Sequence, residues 1–175
     1  MPGVLAPAAE RRELNRTMSF DVDADDLLPA TFSSLAWRWT RASHAVFSSD
    51  ELSQVACLAV PAAREANLEA LRAVGRDGLQ SPPTSDLLRL EVPDSGDVES
   101  IRAWLRALPT GLDVEVVASW SAETALKLPW ALFVRRWEDF CYPGSDDIAA
   151  FPTSRAWILA YHHENVFEWG RWRAV

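Results

Sequence analysis

The stretch LDVEVVASW, residues 112–120, alternates apolar side chains with acidic and polar ones. Successive side chains of an extended strand leave opposite faces, so its four apolar residues of even number share one face: Val114, Val116, Ala118 and Trp120. Asp113 and Glu115 fall on the other face, where a covering layer would tolerate them poorly. The stretch therefore predicts a strand with one buried face and one face open to water.

A second strand and a helix precede this stretch. DLLRLEV, residues 86–92, alternates in the same way, and DVESIRAWLRAL, residues 97–108, is apolar at helical spacing with Asp97 as its N-cap. Strand, helix and strand with short connections predict a right-handed β-α-β crossover. Together with the open face, this predicts an α+β fold. We expect a two-layer sandwich, with a mixed or mostly antiparallel sheet and helices on one face.

Two helices are predicted nearer the N-terminus. Ser48 and Glu51 have the spacing of a capping box and begin an apolar pattern that runs to residue 59. Pro61 cannot continue that helix but can start another. The second helix covers residues 62–75, and its leucines, Leu68 among them, are expected to face inward.

Aromatic residues supply a large part of the expected core. The chain has nine tryptophans, and each can bury about 150–250 Å². In LAWRWTR, residues 35–41, Trp37 and Trp39 alternate with Arg38. This alternation predicts a strand with its tryptophans on the buried face.

The C-terminal third predicts one helix followed by three strands. LPWALFVRRWEDFCYP, residues 128–143, carries apolar residues at helical spacing after Pro129. Three β-rich segments follow: SDDIAAFP (145–152), RAWILAYH (155–162) and VFEWGRW (166–172). The last two are expected to form a hairpin with HHEN at its tip.

The length of 175 residues fits one domain. Residues 1–17 are rich in Ala and Arg without a core pattern, and Met18 opens a stretch that resembles a second start. We therefore expect residues 1–17 to be an N-terminal appendage, and residues 18–175 to be a single α+β domain.

Charge and hydropathy exclude some classes of partner. The chain has 25 acidic and 17 basic residues and a formal net charge of −8, which disfavours nucleic-acid binding because phosphate is bound by clustered Lys and Arg. No run of 18 apolar residues and no signal-peptide pattern is present, so we expect a cytosolic protein without a membrane span. Cys57 and Cys141 are expected to be reduced thiols; one long-range disulfide is the alternative.

Motifs for metal binding or catalysis are weak. His162 and His163 are adjacent and leave opposite faces of a strand, so they cannot bind one ion together, and Glu164 alone does not complete a zinc site. No metal site and no cofactor is expected. Cys141 could pair with His162 or His163 as a nucleophile, but it lies on the apolar side of its predicted helix, where a buried thiol is the ordinary expectation.

Paired acids flank a Pro-Gly turn: Glu138 with Asp139, and Asp146 with Asp147. Such pairs can serve acid–base chemistry. Acids beside a turn also act as caps, turn formers and solvated surface, and that reading is favoured here.

One pattern in the last quarter of the chain carries a resemblance. WEDFCYP (137–143), SDD (145–147) and HE (163–164) occur on a tryptophan-bearing helix end, the following turn and a hairpin tip. This arrangement resembles a family of small bacterial proteins that are often encoded beside polymorphic-toxin genes and are regarded as immunity proteins.

The resemblance implies a non-enzymatic cytosolic protein that neutralises a cognate toxin by direct binding. The helix end, the turn and the hairpin tip would then contact the toxin, through Glu138, Asp139, Tyr142, Asp146, Asp147, His163 and Glu164. Two alternatives stay open: a small enzyme that uses Cys141 with His162 or His163, and a structural or regulatory subunit.

Overall fold

The computed structural model describes residues 20–44, 46–81, 83–93 and 97–172; the predicted appendage, residues 1–17, lies outside them. The strands are β1 Leu27–Pro29, β2 Ala56–Leu58, β3 Val74–Gly75, β4 Gly78–Leu79, β5 Thr84–Glu91, β6 Glu115–Ser121, β7 Thr124–Pro129, β8 Ile148–Pro152, β9 Trp157–His162 and β10 Val166–Trp172. The α-helices are α1 Trp37–Thr40, α2 Ser49–Ser53, α3 Val60–Ala70, α4 Val98–Ala107, α5 Trp130–Arg135 and α6 Trp137–Phe140. Single 3-10 turns cover Ala24–Asp26 and Ala30–Phe32.

Eight of these strands form one sheet in the order β1-β2-β7-β6-β8-β9-β10-β5, and β3 and β4 form a separate hairpin. All neighbouring strands in the described sheets are antiparallel. The predicted α+β class and the mostly antiparallel sheet are therefore confirmed.

The connection from β5 through α4 to β6 differs from a simple crossover. β5 and β6 run in the same direction, because an even number of antiparallel steps separates them, but β8, β9 and β10 lie between them. These three strands come from the end of the chain. Local pattern at residues 86–120 indicates the strand, helix and strand correctly but holds no information on strands inserted later.

Helices cover both faces of the middle of the sheet, so the expectation of helices on one face is wrong. Val116 and Ala118 face the core that includes Ile101 of α4 and the side chains of α5. Val117 faces a second core formed with α3. Glu115 keeps its carboxylate at the surface, where it pairs with Lys127 of β7 at 2.9 Å. The sheet tolerates the layer formed by α3 because the acidic residues on this face end at Glu115, and the next residue on the face, Val117, is apolar and packs against α3.

The packing side of α3 consists of alanines rather than leucines. Ala62, Ala63, Ala66 and Ala70 are buried, whereas Leu68 and Leu71 are 59% and 57% exposed. Small side chains let the helix backbone approach the sheet closely, above Val117 and two alanines of neighbouring strands. A prediction that places the largest apolar residues inward therefore orients this helix incorrectly.

Two further local predictions are partly wrong. Residues 37–40 form α1, not a strand, and the adjacent Arg38 and Trp39 are both buried, in place of the expected alternation of one buried and one exposed face. The capping box of Ser48 and Glu51 is present, but its helix ends at Ser53 and the chain continues into β2. β2 pairs with β1 and with β7, a strand that the sequence analysis did not identify.

The C-terminal elements position the surface of interest. The predicted helix is divided into α5 and α6 at Arg136, whose φ of −121° is not helical. β8, β9 and β10 are confirmed as strands, and β9 and β10 form the expected hairpin. Asn165 closes its tip at φ +63°, a left-handed conformation that asparagine tolerates well.

Candidate functional site

The turn after α6 and the tip of the β9–β10 hairpin lie against each other. The backbone N–H of Gly144 donates to the carbonyl of His163 at 3.0 Å. His163 also contacts Asp147: its backbone N–H and its ring Nδ1 lie 3.1 and 2.9 Å from Oδ1 of that carboxylate. Gly144 has φ +73°, so the turn uses a conformation that suits glycine.

Asp146 lies in the interior beneath this turn. Its carboxylate forms a two-pronged ion pair with Arg38, with 2.9 Å between Nη2 and Oδ1, and both side chains are 6% exposed. The backbone N–H of Tyr142 donates to the same carboxylate at 2.8 Å, and Arg38 also donates to the carbonyl of Phe140 at 3.3 Å. The charge of Asp146 therefore holds α1 and the turn together and is not presented to a partner.

Asp139 is also buried, with 7% of the residue exposed. Burial, with a smaller contribution from the neighbouring Glu138 carboxylate, raises its pKa to about 6. Arg136 opposes this shift only weakly, since 3.9 Å separates its Nη1 from Oδ2 of Asp139. Oδ2 has no hydrogen-bond partner among the described residues. Asp139 is therefore a source of pH-dependent stability rather than a surface contact.

We expect Asp139→Asn to stabilise the protein at pH 7, by about 1–3 kcal/mol, because it removes a buried charge without a close partner. A carboxyl whose folded pKa is raised binds its proton more tightly when folded, so its unfavourable contribution develops as the pH rises from about 4 to about 6. The measurement is chemical denaturation of both proteins between pH 4 and pH 8. The stability difference should be constant above about pH 7 and shrink towards pH 4. A difference that does not depend on pH contradicts the assignment.

Three aromatic rings lie at the surface beside the turn. Trp37 is 4.7 Å from His44 and 6.0 Å from Tyr142 between ring centroids, and His44 is 6.5 Å from Tyr142. The guanidinium of Arg38 stacks on the inner side of this group, 4.1 Å from the centroid of Tyr142. Of the three, only Tyr142 was predicted as a site residue. Trp37 and His44 carry no local sequence signal, since they reach Tyr142 through tertiary contacts about a hundred positions along the chain.

The remaining predicted site residues are at least partly accessible. Asp147 has 64% of its side chain exposed; burial raises its pKa, but the hydrogen bonds from His163 outweigh this effect and lower it. The same contact raises the pKa of His163. Glu164 is exposed at the tip, and Glu138 is half-buried and forms an ion pair with Arg102.

A cleft of about 380 Å³ lies beside the hairpin tip. Its lining residues are Arg76, Asp77, Arg89, His162, His163, Glu164, Val166 and Glu168. Glu168 accepts hydrogen bonds from the backbone of Leu79 at 2.7 Å and from Arg89 at 3.1 Å, so it joins the β3–β4 hairpin to the sheet. Across the described part of the chain, no three His, Cys, Asp or Glu side chains are grouped so that they could hold a metal ion.

Both cysteines are free thiols in the interior. Cys141 is 1% exposed, and burial raises the pKa of its thiol well above the ordinary value. Burial also raises the pKa of Cys57. Because the thiolate is the reactive form, neither residue has the environment of an activated nucleophile.

No helix within the described residues is both long and apolar enough to cross a membrane. The resemblance in the C-terminal quarter rests on the pattern of residues 137–164 alone. Comparison with known protein families, with curated proteins and with solved structures finds no significant match to this chain.

Proposed function

We propose that the protein is a non-enzymatic immunity protein, which neutralises a bacterial toxin in the cytoplasm by direct binding. The toxin would contact a surface that we call the turn–tip surface. Its members are the accessible side chains around the turn after α6: Trp37, His44, Tyr142, Asp147, His163 and Glu164. The proposal keeps four of the residues predicted from sequence, adds two, and leaves out the buried Asp139 and Asp146 and the ion-paired Glu138.

The observation that carries the proposal is the buried Arg38–Asp146 pair beneath this surface. It fixes the positions of Trp37 on α1 and Tyr142 on the turn before any partner arrives. Rigid aromatic side chains lose little entropy on binding, and Trp and Tyr are enriched among the residues that dominate binding energy. An aromatic group on a prebuilt support is therefore suited to protein recognition.

The electrostatics favour a basic partner. Asp147 and Glu164 are exposed acidic members of this surface, and the whole chain has a net charge of −8. Acidic groups at the rim of an interface steer encounter with a basic protein and raise the association rate. A toxin with a basic substrate-binding surface has the matching charge, and its active site would be covered by the bound protein.

The enzyme alternative receives less support, because Cys141 is buried and its pKa is raised. A structural or regulatory subunit would use the same kind of surface and differ only in its partner. The identity of the partner therefore decides between these readings.

The test begins with co-expression of this protein and the product of the adjacent gene. We expect relief of toxicity and a co-purified complex. Glu164→Lys and Tyr142→Ala should each weaken that complex at least about tenfold, the scale of a residue that dominates binding energy. Asp113→Lys is the matched control, since Asp113 is exposed and lies outside the surface. Its effect should be less than about threefold.

Two outcomes would count against the proposal in different ways. If the adjacent product does not bind, the immunity function is wrong. If it binds but Asp113→Lys weakens the complex as much as Glu164→Lys, the turn–tip surface is the wrong face. Thermal unfolding of each variant separates loss of binding from loss of folding.

A further inference from the structure

The last strand of the sheet, β5, has a free edge in the described structure. It pairs with β10 on one side, and no described strand lies on its other side. Leu87 and Leu88 leave opposite faces of this strand, and both are more than 40% exposed. An open groove runs beside residues 89–93 and the hairpin tip. Exposed edges of this kind pair readily with another strand.

The backbone pattern identifies which groups of β5 are available. The N–H of Val92 donates to the carbonyl of Asn165 at 2.7 Å, in register with the β10 ladder. Donors and acceptors alternate along an antiparallel strand, so Leu88 and Leu90 also direct theirs to β10. Arg89 and Glu91 therefore direct their backbone groups outward, away from the sheet.

We propose that β5 pairs antiparallel with β5 of a second copy, so that the two sheets join into one across a two-fold axis. The sequence of the strand fits itself in one register. In that register Arg89 faces Glu91 of the second copy, and the reciprocal pair forms as well. The outward backbone groups of these two residues are the ones that an antiparallel hydrogen-bonded pair requires.

The apolar side of the strand fits the same register. Leu90 lies on the two-fold axis opposite Leu90 of the second copy, and Leu88 lies opposite Val92. Leu90 and Val92 pack only partly against the core, and Leu88 is 43% exposed, so all three have surface left to bury. Cross-strand pairs of opposite charge and of apolar side chains both stabilise a sheet.

The neighbouring registers fit poorly. If one strand slides by two residues relative to the other, Arg89 can lie opposite Arg89 of the second copy. Like charges directly opposite each other are unfavourable. A further step brings Asp86 into the ladder, although its φ of +55° is not the conformation of a regular strand. Charge and backbone conformation thus favour one pairing.

Dimerisation does not depend on the toxin, so its test uses this protein alone. Sedimentation equilibrium over a concentration series should show a dimer with a dissociation constant on the order of micromolar, since a single strand pair is a small interface. Glu91→Arg and Arg89→Glu should each weaken the dimer at least about tenfold by placing like charges opposite each other. Only monomer up to millimolar concentration would overturn the proposal.

Mixing the two variants provides the decisive control. One variant then carries two basic side chains on β5 and the other two acidic ones, so the mixed pair has opposite charges in register. We expect the mixture to form a heterodimer at concentrations where each variant alone is monomeric. Circular dichroism of each variant checks its folding, because Arg89 also contacts Glu168. Failure of two folded variants to associate would refute pairing in this register.

Cross-linking tests the register without changing charge. Leu90→Cys places two thiols opposite each other on the axis, in a non-hydrogen-bonded pair close enough for a disulfide. Oxidation should cross-link this variant, whereas Leu88→Cys, which faces Val92, should stay unlinked. Both native cysteines are buried and do not compete. Equal cross-linking of the two variants contradicts the register.

Discussion

Replacement of Arg38 by alanine is expected to lower the free energy of unfolding by about 3–5 kcal/mol. The substitution leaves the Asp146 carboxylate buried without a cation, with the backbone N–H of Tyr142 at 2.8 Å and the hydroxyl of Ser145 at 3.4 Å as its remaining donors among the described residues. It also removes the guanidinium that stacks on Tyr142 and donates to the carbonyl of Phe140. Chemical denaturation at neutral pH measures the loss.

Two controls isolate the burial of this ion pair. Arg171 pairs with Asp86 at 3.1 Å, but both side chains are 63% exposed. Arg171→Ala should therefore cost less than about 1 kcal/mol. Arg38→Met combined with Asp146→Leu removes both charges, and we expect this double variant to be more stable than Arg38→Ala, because no charge is left buried alone. Equal losses for Arg38→Ala and Arg171→Ala contradict the structural role given to the pair.

The same pair shows why part of the site could not be read from sequence. The residues of the turn and tip form a local pattern, so Tyr142, Asp147, His163 and Glu164, which belong to the proposed surface, could be predicted from the sequence. Arg38 lies more than a hundred positions before Asp146, and its alternation with two tryptophans is typical of a strand. Only the tertiary fold shows that Asp139 and Asp146 are interior and that Trp37 and His44 join the surface.

The fold divides along the same line between local and long-range information. A helix start that is capped by a nearby side chain can be recognised from neighbouring residues alone. The caps of α2 and α4 were accordingly predicted at Ser48 and Asp97. The order of strands depends on contacts between distant segments, so the position of β6 among its neighbours was not anticipated. The alanine side of α3 was missed because hydrophobic patterning weights large residues, whereas close helix–sheet packing here uses small ones.

Phe140→Ala is expected to have an effect as large as that of Arg38→Ala, about 3–5 kcal/mol, through loss of core packing. Phe140 is fully buried and stacks on Phe133 at 5.5 Å between ring centroids. Trp39 and Phe47 contact it at 5.9 and 5.8 Å. The ring thus joins α6 to α1, to α5 and to the segment before α2, and alanine would leave a cavity that these rigid rings cannot fill.

The matched control is Phe32→Ala, because Phe32 is 69% exposed and its ring has little contact to lose. For a chain of this size, Phe140→Ala should lower the midpoint of thermal unfolding by roughly 10 °C and Phe32→Ala by only a few degrees.

The expected effects of Phe140→Ala and Arg38→Ala on binding differ in a way that tests the proposed site. Phe140→Ala leaves the Arg38–Asp146 pair intact, so below its melting transition this variant should still bind the proposed partner. Arg38→Ala loosens Trp37 and Tyr142 directly and should weaken binding even where the domain is folded. If both variants bind equally well when folded, the buried pair stabilises the fold without preparing the turn–tip surface for recognition.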